Sequence, residues 1–373
     1  MSLAHALRQK SKDCRIVYIG LKGESLAGEL SERYKVFDEI YTVPSGKFRR
    51  YHGESLLAHL ADVRTLALNI RDFFRVLSGI GYSLRLMARV KPDAVFSKGG
   101  FVAVPVGLAA AIKRVPIVTH DSDTVPGLAN RIIGRFARIH ATGMSADLYG
   151  YPSGSVRYVG IPLDERIKAV DADSQADYKR QLVLPKASTM LLVGGAGLGS
   201  KDINDKVLAI APQLLGEFED LRITHISGQK HQAAVQAGYE SALSDAADRV
   251  KVVGFTPEFY KYTGAADVVI TRAGATTIAE LAAQKKAVIL IPAPYLTGGH
   301  QLKNAEALAA VQAAEVIRND APPEELKALI EKLLKDKKRR ARLAAALGSQ
   351  AKIDAAGELA AILMAAAAAG ENA

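Results

Sequence analysis

The chain has 373 residues, 49% of them hydrophobic and 24% charged, with 49 basic against 39 acidic side chains and a formal charge of +10. That length suits two globular domains, and no apolar run approaches the ~18–20 residues that cross a bilayer as a helix. One cysteine, Cys14, excludes an internal disulfide and a cysteine-built metal site, while the positive balance favours anionic partners.

In chain order, the first five residues carry no leader pattern, so no signal peptide is expected, and a reducing cytoplasm suits the cysteine content. Residues 3–9 predict a helix. Arg15-Ile16-Val17-Tyr18-Ile19-Gly20 predicts a buried strand, and residues 56–90 a long helix broken near Gly79 and Gly81. Asp93-Ala94-Val95-Phe96 is a further strand that runs into Gly99-Gly100. A helix follows from about Val106, then a strand at Pro116-Ile117-Val118-Thr119. A second series opens with the strand Met190-Leu191-Leu192-Val193 and continues through strands at 222–226, 250–253, 268–270 and 287–291, with helices between them. This alternation predicts βα units and parallel sheets. The boundaries are drawn as a first domain at 1–162, a second at 163–350 and a helical, alanine-rich tail at 351–373. The series begins with a helix. In an open α/β domain the first strand normally runs down the sheet centre and its loop is a ligand site; that strand and loop are missing from the pattern.

Five constellations carry chemistry. Gly194-Gly195-Ala196-Gly197-Leu198-Gly199 follows a strand and precedes a helical pattern. Glycines admit close backbone approach, and a helix start offers free N–H groups to a diphosphate; the competing reading is a tight turn without ligand. Arg272-Ala273-Gly274-Ala275-Thr276-Thr277-Ile278-Ala279-Glu280 also opens a helix after a strand. Its threonine hydroxyls can cap or bond, and the Glu280 carboxylate can accept both hydroxyls of a ribose; the competing reading is a capping box with a solvated glutamate. Gly298-Gly299-His300-Gln301-Leu302-Lys303-Asn304 brings two amides able to read sugar hydroxyls as donor and acceptor together. His120-Asp121-Ser122-Asp123 lies at a strand end, where His120 beside carboxylates can serve as general base or as a hydrogen-bond hub. Lys47-Phe48-Arg49-Arg50-Tyr51, with Phe73 and Phe74 on the following helix, suits an anionic membrane surface. No recognised nucleic-acid module surrounds it, so nucleic acid is not an expected partner.

In order and spacing these stretches resemble the MurG family of cell-wall glycosyltransferases, most strongly from Pro92 to Asn304. The resemblance implies the GT-B architecture, an α/β fold of two Rossmann-like domains with parallel sheets facing across a cleft. It implies inverting transfer of N-acetylglucosamine from UDP-GlcNAc to the lipid-linked muramoyl-pentapeptide, by a peripheral protein at the cytoplasmic face of the membrane, with no metal or other cofactor. Residue by residue, it places Glu280 on the ribose and Gly274, Ala275, Thr276 and Thr277 at the diphosphate. Gln301 with His300 falls at the sugar, Phe255 and Thr256 at the uracil, and Gly195, Gly197, Leu198 and Gly199 in the donor loop beside Arg272. Asp123 stands where the family has an asparagine that contacts the donor sugar. His120 and Asp121 are the catalytic candidates, because the histidine of the family's first loop has no counterpart here. Asp121 replaces a glutamate, Gly197 a serine, and Gly160-Ile161-Pro162-Leu163-Asp164 lacks the family's arginine, with Arg166 nearby. The first domain is therefore read as N-terminally incomplete. A non-catalytic UDP-sugar-binding protein, or another UDP-sugar glycolipid transferase or epimerase, are the alternatives.

Overall fold

The computed structural model describes residues 1–23, 35–47, 63–195, 197–243 and 246–370. The chain divides into two compact units, Met1–Leu163 with Asp354–Ala373, and Asp164–Ile353. Among the described residues, no helix is long and apolar enough to cross a membrane.

The first unit contains α1 (Ser2–Lys10), β1 (Val17–Leu21), β2 (Glu39–Val43), α2 (Val63–Val90), β3 (Val95–Ser97), α3 (Ala103–Ile112), β4 (Ile117–Asp121), α4 (Leu128–Ile133), β5 (Ile139–Thr142) and β6 (Val156–Tyr158). Its parallel strands form two separate pieces, β1-β2 and β3-β4-β5-β6. Both pieces contribute to one core, in which Ile19, Tyr41, Val43 and Val95 pack with Leu86 and Met87 of α2 and Val106 and Ala109 of α3. The expected break in α2 is absent. Gly79 serves packing, because a Cβ there would lie 2.1 Å from the Pro44 carbonyl oxygen and 3.0 Å from Pro105. The last helix, α13 (Ala355–Ala368), is not a separate tail: Leu359 and Ala366 pack with Phe96, Val118 and Ala141 of the four-stranded piece, and Ala360 packs with Ala6 and Leu7 of α1.

The second unit runs α5 (Ala172–Gln181), β7 (Thr189–Gly194), α6 (Lys201–Glu217), β8 (Leu221–Ile226), α7 (Gln232–Ala242), β9 (Val250–Val253), α8 (Phe259–Ala265), β10 (Val268–Thr271), α9 (Ala275–Ala283), β11 (Val288–Leu290), α10 (His300–Ala310), β12 (Glu315–Val316), α11 (Pro323–Lys335) and α12 (Lys337–Ser349). Its six strands pair in parallel in the order β12-β11-β10-β7-β8-β9. Alternate residues of each strand face opposite layers, as the two-residue period requires. Leu191, Val193, Val268 and Ile270 meet α6, α7 and α11, whereas Met190, Leu192 and Val269 meet α9 and α10. This is a doubly wound sheet whose order reverses between β7 and β10, and ligands of such sheets bind beyond the strand ends at that reversal.

Candidate functional site

The loops that flank the reversal are the glycine loop after β7 and the 272–274 turn after β10. Ser200 caps α6, accepting from the Ile203 N–H at 3.5 Å. Gly199 has φ +77°, and a Cβ there would lie 2.0 Å from the Ser227 carbonyl oxygen. Gly228, at φ +90°, would meet the Leu198 oxygen at 2.4 Å in the same way. The glycine loop and the turn after β8 are thus pressed together, backbone on backbone. Beneath them lies a buried polar chain. His225 donates from Nε2 to Asn204 Oδ1 (3.0 Å) and accepts at Nδ1 from the Tyr239 hydroxyl (2.8 Å), while Asn204 Nδ2 donates to the Ser227 oxygen (3.0 Å). The Asn204 oxygen can only accept, which fixes the histidine tautomer. Burial lowers the His225 pKa to about 4, so it stays neutral. Gly195 is buried, whereas Gly197 and Leu198 are exposed at the loop surface.

Arg272, expected at the ligand, is only 4% exposed and is spent on protein acceptors. One amino group donates to the Ile291 oxygen (2.9 Å) and Asn319 Oδ1 (2.6 Å), the other to Ser200 Oγ (2.6 Å) and Asp202 Oδ2 (3.0 Å). Both of its terminal amino groups are thus engaged by the protein itself. The Ser200-Lys201-Asp202 stretch, a cap followed by an acid in the first turn, was a readable helix-start signal; nothing in the sequence pointed to Asn319.

Gly274 is the N-cap of α9, and no side chain caps that helix, so the threonines do not take the capping role expected of them. Thr276 is exposed and Thr277 half-buried, and the amides of Ala275, Thr276 and Thr277 lie in the first turn, at the positive end of the helix. Glu280 lies one turn further on and is half-buried. Burial, with the nearby Asp164 carboxylate adding to it, raises its pKa to about 7. Asp164 is itself gripped by Arg166 through two 2.9 Å bonds, and that guanidinium lies 5.0 Å over the Tyr260 ring.

Gln301 is 8% exposed, and its Oε1 accepts from the Ala293 N–H at 3.0 Å, which orients the amide and leaves its Nε2 to donate to a ligand. That nitrogen lies 3.9 Å from where a Cβ on Gly274 would stand. Asn304 is fully buried and donates to the Ala273 oxygen (3.0 Å), which fixes α10 to the turn after β10. His300 is half-buried at the start of α10. Phe255, after β9, is 58% exposed, and Thr256 Oγ1 accepts from the Glu258 N–H.

In the first unit both catalytic candidates are buried. His120 is fully buried, donates from Nε2 to the Gly160 oxygen (2.8 Å), and is driven by burial to a pKa of about 4. Asp121, 4% exposed, accepts from Asn130 Nδ2 (2.9 Å) and the Tyr151 hydroxyl (2.8 Å), and burial raises its pKa. Asn130 also receives the Ser97 hydroxyl (3.1 Å), tying the ends of β3 and β4 together. Neither His120 nor Asp121 is open to a substrate; Asp123, half-buried two residues on, is the accessible acid of that turn. Among the described residues, no three His, Cys, Asp or Glu side chains converge on a metal-sized site.

Of the basic–aromatic stretch, Phe48, Arg49 and Arg50 lie outside the described residues. Lys47 is exposed, 5.7 Å over the Phe101 ring. Phe73 and Phe74 are 49% and 63% exposed, and Leu66, Ile70 and Leu77 extend them into one stripe along α2. Nearby Ile80, Leu108, Ile112 and Phe136 line a shallow apolar hollow.

The glycosyltransferase family 28 N-terminal domain matches residues 1–142 and the family 28 C-terminal domain residues 189–359. The UDP-N-acetylglucosamine--N-acetylmuramyl-(pentapeptide) pyrophosphoryl-undecaprenol N-acetylglucosamine transferase of Geobacillus kaustophilus is 35% identical over 333 residues, covering 87% of this chain and 84% of that protein. The protein of the same name from Clostridium perfringens strain SM101 is 31% identical over 326 residues, covering 87% and 83%. In fold the chain is similar to the crystal structure of Acinetobacter baumannii MurG, with a TM-score of 0.69 and 24% identity over 97% of this chain and 94% of that one. It is similar also to the Neisseria meningitidis UDP-GlcNAc 2-epimerase bound to UDP-GlcNAc, with a TM-score of 0.64 and 12% identity over 98% and 94%. The expected α/β class with parallel sheets in two domains therefore holds, and by identity and coverage together the chain belongs to the MurG family of glycosyltransferases.

Proposed function

We propose that this chain transfers N-acetylglucosamine from UDP-GlcNAc to the undecaprenyl-diphospho-N-acetylmuramoyl-pentapeptide, forming the disaccharide lipid precursor of peptidoglycan. The observation that carries the reading is the pairing, at one sheet reversal, of a helix start at Gly274 that has no side-chain cap with the Glu280 carboxylate nearly two turns along, which has no partner among the described residues. The amides of Ala275, Thr276 and Thr277 and of the glycine loop suit the diphosphate, Glu280 the ribose hydroxyls, Phe255 with Thr256 the base, and the Gln301 amide nitrogen a sugar oxygen. Chemically, the acceptor hydroxyl oxygen attacks the anomeric carbon and the bond to UDP breaks. UDP leaves with the electron pair, and a base takes the hydroxyl proton. Helix-start N–H groups stabilise the charge that grows on the leaving diphosphate. Asp123, as the accessible carboxylate of its turn, takes the role of base in place of His120 and Asp121.

The test is transfer of labelled sugar from UDP-GlcNAc to the lipid-linked muramoyl-pentapeptide. The labelled disaccharide lipid is expected. UDP binding without transfer would instead favour a non-catalytic binding protein, and conversion of the free UDP-sugar an epimerase.

The α2 stripe supports a second part of the reading, peripheral attachment at the inner membrane face where the acceptor lies. Five large apolar side chains exposed on one helix face, flanked by Arg71 and Arg75, fit insertion among anionic headgroups. Each buried phenylalanine contributes about 1.5–3 kcal/mol. The double change Phe73→Ser and Phe74→Ser is therefore expected to weaken binding to anionic vesicles by roughly a hundredfold or more, with activity on a detergent-soluble acceptor retained. Unchanged sedimentation with vesicles would refute this attachment.

A further inference from the structure

Arg272 gives both terminal amino groups of its guanidinium to protein acceptors, and these bonds join the parts of the donor site that must be spaced correctly. It lies two residues before the N-cap of α9 and reaches across the reversal to the N-cap of α6 at Ser200 and to Asp202 in that helix's first turn. Its other amino group holds the ends of β11 and β12 through Ile291 and Asn319. Asn319 Nδ2 in turn donates to Asp202 Oδ2 at 3.3 Å, which closes the ring. A buried guanidinium is tolerable only when its protons meet acceptors, and its rigid fork defines where those acceptors stand.

We infer that Arg272 is a positioning residue that sets the separation of the α6 and α9 helix starts, and through it the preference of the site for a nucleoside diphosphate over the bare nucleoside. This rests on the donor site proposed above. Phosphate oxygens caught between two helix starts demand a fixed gap, and misplacement by about 1 Å can cost on the order of 100-fold. The base and ribose contacts, built by Phe255 and Glu280, do not bridge the two helix starts and so depend less on that gap.

The test compares UDP with uridine by calorimetry for the wild type, Arg272→Lys and Asn319→Leu, with thermal unfolding measured in parallel. A lysine keeps the charge but cannot span four acceptors. It should weaken UDP about tenfold or more while uridine changes less than about twofold, and it should raise the KM for the UDP-sugar more than it lowers kcat. Asn319→Leu leaves the guanidinium in place and removes one anchor, so it should lower the UDP-over-uridine ratio in the same direction by a smaller factor. The inference is overturned if Asn319→Leu keeps the wild-type ratio while Arg272→Lys loses it, since the arginine would then touch phosphate itself. It is overturned too if UDP and uridine weaken in proportion with a falling melting temperature. Should Arg272→Lys fail to fold, Asp202→Asn takes its place beside Asn319→Leu. A wild type that binds UDP no better than uridine would remove the donor-site reading and this inference together, whereas a normal wild-type preference with unmoved variants removes only the inference.

Discussion

Replacing Glu280 with Gln is expected to raise the Kd for UDP-GlcNAc by about a hundredfold, the loss of two charge-assisted hydrogen bonds at about 1.5–3 kcal/mol each, partly offset because the amide can still accept. The effect should carry a pH signature. In the free protein, burial and Asp164 hold the Glu280 pKa near 7, far above the ordinary 4.5. Ribose hydroxyls donate to the ionised form, so binding below that pH must expel a proton. Affinity should therefore climb as pH rises from about 6 toward 8, by up to roughly tenfold per unit below 7, and then level off. The sugar nucleotide is the right probe, because its diphosphate has no proton to lose in that range. Glu280→Gln should give a flat profile; a slope unchanged in the variant would assign the proton elsewhere. In the ligand-free protein the same shift acts against folding. The unfolded chain sheds this proton near 4.5 and the folded chain near 7, so the stabilising contribution is full below 4.5 and is lost as pH rises through that window. Glu280→Gln should remove that decline, so that the variant binds worse while standing up better to neutral pH.

The second large effect is expected from Gly199→Ala. At φ +77° an alanine pays a left-handed backbone cost of about 1–2 kcal/mol, and its Cβ would sit 2.0 Å from the Ser227 oxygen and 2.7 Å from the Gly228 Cα. Both neighbours are main chain and cannot swing aside as a side chain would. The turn after β8 is moreover held by Asn204 and His225, so the displacement falls on the glycine loop and the start of α6. A loss of about 100-fold or more in kcat/KM is expected, together with weaker UDP binding. Near-normal kinetics would mean that the loop takes no part in holding the donor.

Much of the second unit was legible in the sequence because its strands are long, apolar and buried on both faces. The run from Met190 to Gly194 could hardly be anything else. The strands Ile139–Thr142 and Val156–Tyr158 were not, since His140 and Arg157 break up segments too short to show a period. Gly79 and Gly81 suggested a broken helix because glycine lowers helix propensity; the close approach of Pro44, a non-local contact, lies outside any sequence window. The site shows the same division. Order and spacing identified the loops and the family, but they could not distinguish a residue that faces a ligand from one that braces the residue that does. Arg272, His120 and Asp121 are buried and bonded to protein partners, which no sequence pattern reveals. Gln301 belongs partly to both, with one end of its amide already engaged.

The return of α13 to the first unit has a consequence for the order of folding. Ala6, Leu7 and Phe96 precede the second unit in the chain, but their packing partners Leu359, Ala360 and Ala366 follow it. The second unit is one uninterrupted segment, 164–353, and has every strand of its sheet before that helix emerges. On the ribosome the half of the protein that is translated first should therefore mature last. Its unfinished apolar surface must stay shielded while the second unit condenses, and loss of α13 should expose the first unit to proteases while leaving the second resistant.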